Sequence, residues 1–367
     1  MIVRAAVLEG IGGPIQIKNL DLSEPKSGEV LVRIAACGVC HSDWHLVTGE
    51  TKHPLPAALG HEGAGVIEQL GEGVDDLNIG DHVALSWAPY CGDCFYCQNG
   101  QPNLCATYVE PIWAGTMLDG TTRFNDDGKP IYHYCGLACF AEYVVVPAMC
   151  CVVMPKKLPL EIAAVIGCAV TTGIGSVINT AKVRKGTSVA VFGAGGVGLS
   201  TIMGAKIAGA STIIAIDPLE SRLQAAKEMG ATHTIQAKPN VHEEIKNLTE
   251  GRGADYVFEA IGNPSVQEQC LLAARPGGEI IFSGLSPMGT STNLPGSVIV
   301  REEKTIKGSY YGSANPPIDF VQYAEWYQIG QLPLDRLISH RYSLDQINEA
   351  FADMLSGKVR RGIVVFE

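Results

Sequence analysis

The sequence predicts an α/β chain in which a doubly wound parallel sheet follows a β-rich domain of short strands. Three observations carry this. From Thr187 onward, apolar β-branched runs alternate with helix-length segments, the pattern of repeated strand–helix–strand units. One unit opens with Ser188–Phe192, turns through Gly193-Ala-Gly195-Gly196-Val197-Gly198 and closes on Thr212–Asp217. Before it, short apolar runs are broken every few residues by Gly and Pro, which suits strands and tight turns better than helices.

The glycine unit is the most specific of these. Ser188–Phe192 is short and β-branched enough to be a buried parallel strand. Gly193 permits the tight turn, Gly195 lets a pyrophosphate approach the backbone, and Gly198 allows close helix–sheet packing. A small-residue helix pattern follows this turn, with its Gly196 and Val197, and runs through Gly209, its N-terminus presenting free N–H groups and a positive dipole end to the phosphates. Asp217 is placed to accept hydrogen bonds from an adenosine ribose and to repel a 2′-phosphate, so NAD is expected over NADP. Arg222, five residues further on, works against that repulsion without outweighing it.

Composition bounds the rest. With 367 residues there is room for two domains, and 46% hydrophobic with 18% charged residues describes an ordinary globular enzyme. A net charge of −11 argues against nucleic acid or an anionic membrane surface as a partner. The first ten residues carry no apolar export signal, and the apolar stretch 143–154 is broken by Pro147 and too short to span a bilayer. The expected compartment is the cytoplasm, where disulfides are disfavoured. Twelve cysteines there need another explanation.

Taken in order, strands are expected at 2–7 and 30–36, the second running into Cys37-Gly-Val-Cys40-His41-Ser42-Asp43-Trp44-His45. A proline loop at 53–56 leads to Gly60-His61-Glu62-Gly63, then a strand at 66–69, a turn at 80–83 into another, and strands again at 140–146. The pattern is helical from Pro159, and Cys168 lies within it. The later units place helices at 220–229, from 241 and at 265–274, with strands at 232–235, 255–259 and 279–283. The tail offers helices at 317–329 and 344–356 and a last strand at 362–366. The expected organisation is a β-rich catalytic domain over 1–170, a nucleotide domain over 171–309, and a return to the first over 310–367.

Cys91, Cys94, Cys97 and Cys105 place four thiols in a fifteen-residue lobe. Two C-x-x-C steps can wrap one tetrahedral Zn²⁺, and four thiolates leave no open position, so this site is structural. The metal substitutes for a core that a short lobe lacks. A second set, Cys40, His61 and Cys168, is too dispersed to be found by spacing, but two thiolates and an imidazole leave a zinc one open position.

The order Cys40-x-Ser42-Asp43, Gly60-His61-Glu62, the four-cysteine lobe, Gly167-Cys168 and the glycine turn with its acid resembles the zinc-dependent medium-chain alcohol dehydrogenase family, nearly end to end from Arg4 to Phe366. Residues 167–217 are similar to the branch of liver-type and glutathione-dependent enzymes. Lys307-Gly-Ser-Tyr-Tyr-Gly-Ser with Ala314-Asn-Pro resembles bacterial members acting on aromatic or terpenoid alcohols. The resemblance implies a GroES-like catalytic domain beside a Rossmann domain, two zinc ions per chain, and NAD. It implies Cys40, His61 and Cys168 as catalytic zinc ligands, with Asp43 and Glu62 behind them. Ser42 is implied to touch the substrate oxygen, and His45 to end a proton relay through the cofactor ribose. Thr172 is implied at the nicotinamide, His41 and Arg361 near the pyrophosphate, and Trp87, Tyr134 and Cys135 along the substrate pocket.

A zinc Lewis acid eases loss of the alcohol proton, after which hydride can pass to C4 of the nicotinamide. The large Trp87 favours an apolar primary alcohol. Between Cys105 and Arg123 there is no Lys, Arg or His, and Glu110 is present instead. That counts against a thiol-dependent formaldehyde dehydrogenase, which uses a basic residue there. An enzyme holding its nicotinamide tightly and exchanging hydride with an external acceptor is the other alternative. A non-catalytic zinc and dinucleotide binder would lack one of Cys40, His61, Cys168 or Ser42. The family associates through an edge strand of the nucleotide domain, so a homo-oligomer is expected, with the insert between Cys105 and Phe140 pointing to a dimer.

Overall fold

The computed structural model describes residues 1–367. The chain divides into two compact units, Met1–Cys168 with Asn315–Glu367, and Ala169–Ala314.

The first unit holds two sheets. A closed barrel is formed by Ile2–Leu8, Gln16–Leu22, Phe124–Asp126, Lys129–His133 and Ala57–Ala58. The second, seven-stranded sheet is built on Glu29–Gly38, which pairs antiparallel with Gly63–Leu70, Tyr143–Pro147 and Gly362–Val365. This strand is apolar along nearly its whole length because eight of its ten residues are buried. Its register positions the site: Cys37 lies opposite Gly63, and Gly38 opposite Ile363. Whatever follows Gly38 is therefore beside whatever precedes Gly63 and Gly362.

Burial in this unit includes polar groups that are paired. Arg123 and Glu29 form a buried bidentate ion pair, and the Arg123 backbone N–H donates to His133 Nε2 at 3.0 Å. His133 stacks on Phe124 and is fully buried. Burial, aided by the charge of Arg123, pushes its imidazole down to about 3. The folded chain thus holds His133 neutral over a range where the unfolded chain, with the ordinary histidine value near 6.5, takes up a proton. Stability from this group is present above about pH 6.5 and is lost as the pH falls toward about 3. Urea unfolding of a His133→Gln variant should show a weaker loss of stability between pH 7 and 5 than the parent, by up to about 1.4 kcal/mol per pH unit.

The second unit is a six-stranded parallel sheet in the order His233–Gln236, Thr212–Asp217, Ser188–Phe192, Ala254–Glu259, Ala274–Phe282, Thr305–Gly308. Numbered along the chain this is 3-2-1-4-5-6, the doubly wound order with a switch point between Ser188–Phe192 and Ala254–Glu259. Phe192, Ile214, Ile216, Val257, Ile280 and Leu271 meet in its buried core.

The second crossing between units falls at 314/315, not at the expected 309/310. The extra residues are retained because the hydroxyls of Ser309 and Ser313 meet Thr180 Oγ1 at 2.9 and 2.8 Å, within the nucleotide unit. The first crossing is at 168/169, against an expected 170/171. Leu160–Ala181, at 22 residues, is apolar enough to cross a membrane by length and composition, but 89% of its apolar window is buried inside the protein.

Candidate active site and metal centres

Cys40 ends the run from the central strand and stands at the N-cap of helix His41–Thr48 in extended backbone. Ser42, Asp43 and His45 fall on the first turns of that helix. His61 and Glu62 immediately precede the paired strand Gly63–Leu70. Cys168 lies in a π-helical turn, Ile166–Val170, a rare irregularity that is frequent at functional sites. One ligand atom from each of Cys40, His61, Glu62 and Cys168 lies within 4.8 Å of all the others, and all four residues are buried. Glu62 reaches this cluster because its neighbour Gly38 has no side chain: a Cβ there would stand 2.0 Å from Glu62 Oε2.

The buried charges are arranged around this cluster. His61 Nδ1 faces Asp43 Oδ2 at 3.0 Å, and Asp43 Oδ1 accepts the Gly60 N–H at 2.8 Å. A carboxylate on one ring nitrogen fixes the histidine's orientation and leaves the other ring nitrogen for a metal. Burial alone would lower the His61 imidazole, yet the charges of Asp43, Cys168 and Cys40 hold it well above its ordinary value. The two thiols act on each other in opposite directions: the hydrogen bond from Cys168 lowers Cys40, and the same bond raises Cys168. Burial lifts Glu62 to about 7 against the pull of Arg361, whose guanidinium pairs with it. Two thiols and an imidazole converging in this way are a zinc donor set. An Asp43→Asn variant should bind zinc about 10–100-fold more weakly in competition with a chelator, with the fold intact.

The four-cysteine lobe fits a tetrahedral ion. Cys91–Cys97, Cys94–Cys97 and Cys94–Cys105 sulfurs are 4.0, 3.5 and 3.9 Å apart. Zinc with sulfurs at ~2.3 Å spaces them by about 3.8 Å. Backbone N–H groups of Cys91 and Cys94 donate to Cys105 and Cys91 sulfurs. The Cys91 thiol is lowered to about 6, first by the Thr107 hydroxyl, whereas burial pushes Cys97 up to about 12. None of the twelve cysteines is in a disulfide.

In the nucleotide unit, helix Gly196–Ile207 begins directly after Gly195. A Cβ on Gly198 would stand 1.8 Å from the Gly193 carbonyl, so this position admits only glycine. A Cβ on Gly195 would meet nothing within 4 Å, which leaves the turn open for a phosphate. Val197 lies in the same first turn. Asp217 Oδ2 accepts the Ala194 N–H at 2.9 Å and Oδ1 the Leu219 N–H at 3.0 Å, tying the second strand to the turn. Arg222 Nη1 is 3.8 Å from Asp217. Beside it, a cleft of 390 Å³ is lined by Phe192, Ile216, Pro218, Lys238 and Ile261, suited to a flat adenine. Thr172 is buried on Thr171–Gly175 in this unit.

The remaining expected residues are in the first unit. His41 is exposed and its ring lies 4.9 Å from that of His45, edge to face. Arg361 is buried, with one side of its guanidinium on Glu62 and its Nε free of protein partners. Trp87, Tyr134 and Cys135 are all buried. Cys135 lines an apolar hollow with Pro89, Tyr108, Ile112, Met117 and Cys150. Three contacts lie beyond sequence reasoning: His45 Nε2 to Glu50 Oε2 at 3.4 Å, Thr107 on Cys91, and the Tyr134 hydroxyl on the Ser42 carbonyl.

Comparison with known proteins agrees with this geometry. Residues 26–156 match the alcohol dehydrogenase GroES-like domain and residues 196–328 the zinc-binding dehydrogenase domain. An NDMA-dependent alcohol dehydrogenase of Amycolatopsis methanolica is 39% identical over 100% of this chain and 99% of its own length. An S-(hydroxymethyl)glutathione dehydrogenase of Paracoccus denitrificans is 39% identical over the whole of both chains. The crystal structure of benzyl alcohol dehydrogenase from Acinetobacter calcoaceticus superposes with a TM-score of 0.94 at 34% identity, covering 100% of both chains. The expected fold, a GroES-like β-rich domain with a Rossmann sheet, is the observed one. The chain is an oxidoreductase of the zinc-dependent medium-chain alcohol dehydrogenase family.

Proposed function

We propose that this enzyme interconverts apolar primary alcohols, aromatic or allylic ones among them, with their aldehydes, using NAD as the hydride carrier. The observation that carries the reading is the convergence of Cys40, His61, Glu62 and Cys168 with Asp43 behind His61. Zinc held by Cys40, His61 and Cys168 supplies Lewis acidity to the hydroxyl being oxidised. Ser42, whose Oγ is 3.7 Å from Cys40 Sγ, takes the proton of that hydroxyl. His45, on the same helix and paired outward with Glu50, passes it to solvent. Asp43 and Glu62 orient the ligand set, and Glu62 in turn holds Arg361. His41 and Arg361 supply positive charge for the pyrophosphate, and Thr172 a contact for the nicotinamide. Trp87, Tyr134 and Cys135 bound the substrate. Asp217 excludes a 2′-phosphate.

The thiol-adduct alternative is disfavoured by charge. No cation lies between Cys105 and Arg123, and Arg123 itself is buried on Glu29 and Asp119, so this stretch offers no free cation to an adduct's carboxylate. The NDMA-dependence in the name of the Amycolatopsis methanolica relative favours a second reading, in which the dinucleotide stays bound and an external acceptor reoxidises it. The enzyme works in the cytoplasm as a homodimer. Thr305–Gly308 supports this assembly, being an edge strand of its sheet.

The test is turnover with NAD and NADP across ethanol, hexanol, benzyl alcohol, geraniol and formaldehyde, with and without glutathione. Turnover of the bulky primary alcohols with NAD and no thiol is expected. Activity only on a thiol adduct overturns the substrate reading. Turnover that needs an external acceptor, from protein purified with dinucleotide bound, supports the second reading.

A further inference from the structure

Tyr134 is placed by a rigid anchor. It follows strand Lys129–His133, whose last residue is buried against Arg123 and Phe124, and opens the tight turn Tyr134–Gly136. Its side chain is 1% exposed, and its ring stands edge to face on His61 at 5.6 Å and on His53 at 5.5 Å. Its hydroxyl donates to the backbone carbonyl of Ser42 at 2.6 Å, across 92 residues of sequence. A phenol is protonated at neutral pH and so has a proton to donate here.

Ser42 needs such an anchor. Helix His41–Thr48 has only eight residues, and its N-cap Cys40 offers no side-chain hydrogen bond to the orphan N–H groups. A helix this short has little stability of its own, and its first turn carries the hydroxyl that must face the reacting oxygen. A carbonyl oxygen has a second lone pair, so the phenol binds Ser42 without displacing a helical bond. A single side chain thus touches both the zinc-ligating imidazole and the backbone of the proton acceptor.

We propose that Tyr134 is a positioning residue for Ser42, its phenol fixing the first turn of the helix and with it the direction of the Ser42 hydroxyl. This rests on the reading of Ser42 as the group that takes the alcohol proton. Phenylalanine at 134 keeps the ring and its packing on His61 and removes only the hydrogen bond. Small displacements of a group that acts in the transition state lower the rate of the chemical step more than they lower binding.

The experiment is a double-mutant cycle on the zinc-loaded enzyme with NAD and benzyl alcohol, using Tyr134→Phe, Ser42→Ala and the double variant. Tyr134→Phe should lower kcat about tenfold, as one hydrogen bond allows. The KM for NAD and the zinc content should be unchanged, and the deuterium isotope effect on kcat should rise as hydride transfer becomes limiting. In the Ser42→Ala background the same substitution should have no further effect on kcat. Ser42→Ala with full kcat overturns the reading of Ser42, and the proposal with it. Ser42→Ala crippled while Tyr134→Phe runs at full rate overturns the proposal alone, as does a double variant in which the two losses multiply. A Tyr134→Phe protein that loses zinc or unfolds, with no rise in the isotope effect, also overturns it, because the phenol is then only structural.

Discussion

Turnover of the Cys40→Ala variant should fall by at least about a thousandfold while its affinity for NADH stays within a few-fold of the parent. The rate loss follows from the donor set. In the proposed reading Cys40, His61 and Cys168 supply the three donor atoms that would hold a zinc ion with one position open, and the fourth residue of the cluster, Glu62, is already engaged by Arg361. Lewis-acid stabilisation supplies several kcal/mol to the reaction, and each 1.36 kcal/mol is a factor of ten in rate. Retained NADH affinity follows from the nucleotide unit having its own core, its own glycine turn and its own acid at Asp217. Fluorescence titration of NADH and zinc content by atomic emission decide the matter. Zinc per chain should drop by one in the variant, and a variant that turns over normally, or that loses NADH binding together with zinc, contradicts the division between the two units.

What the sequence reveals about this site depends on how far apart in the chain its parts lie. Strand Ser188–Phe192 and helix Glu220–Met229 have the expected ends because their signals are local: a buried β-branched run stopped by glycine, and a helix closed by Gly230. Strand Ala274–Phe282 begins well before the expected residue 279, since Pro276-Gly277-Gly278 breaks the apolar pattern and leaves an irregularity in the pairing. Helix Ala106–Ala114 carries Pro111 within it and gives no helical signal at all. The four-cysteine lobe is legible from spacing because one loop supplies every ligand. The second cluster is different in kind. Cys40 meets His61 only because Cys37 pairs with Gly63, and Arg361 meets Glu62 only because Ile363 pairs with Gly38. Strand register is a tertiary outcome, set by which faces are buried and not by the residues at the site. Resemblance to a family supplied those residues, but not the contacts of Tyr134 with Ser42 or of Glu50 with His45.

The Cys97→Ala variant should behave in the opposite way, with stability lost and chemistry kept. The lobe has almost nothing else to hold it. Its helix Phe95–Gln98 buries no residue, and Phe95 is 70% exposed, so apolar contact cannot replace a missing thiolate. Structural zinc contributes its binding free energy directly to folding of such segments. Removing one of four ligands should lower the thermal midpoint on the order of 10 °C and cut zinc by one per chain. Protease should then cleave within residues 91–105 before it cleaves elsewhere. Hydride transfer in a single turnover should persist at low temperature, because none of the four lobe cysteines belongs to the Cys40–His61–Cys168 set. Chelator treatment of the parent should reproduce the same sequence of events, with the melting shift tracking loss of the lobe zinc and the activity loss tracking the other. If Cys97→Ala abolishes single-turnover chemistry while its melting midpoint is unchanged, the lobe acts on the reaction itself and its assignment as a folding element is wrong.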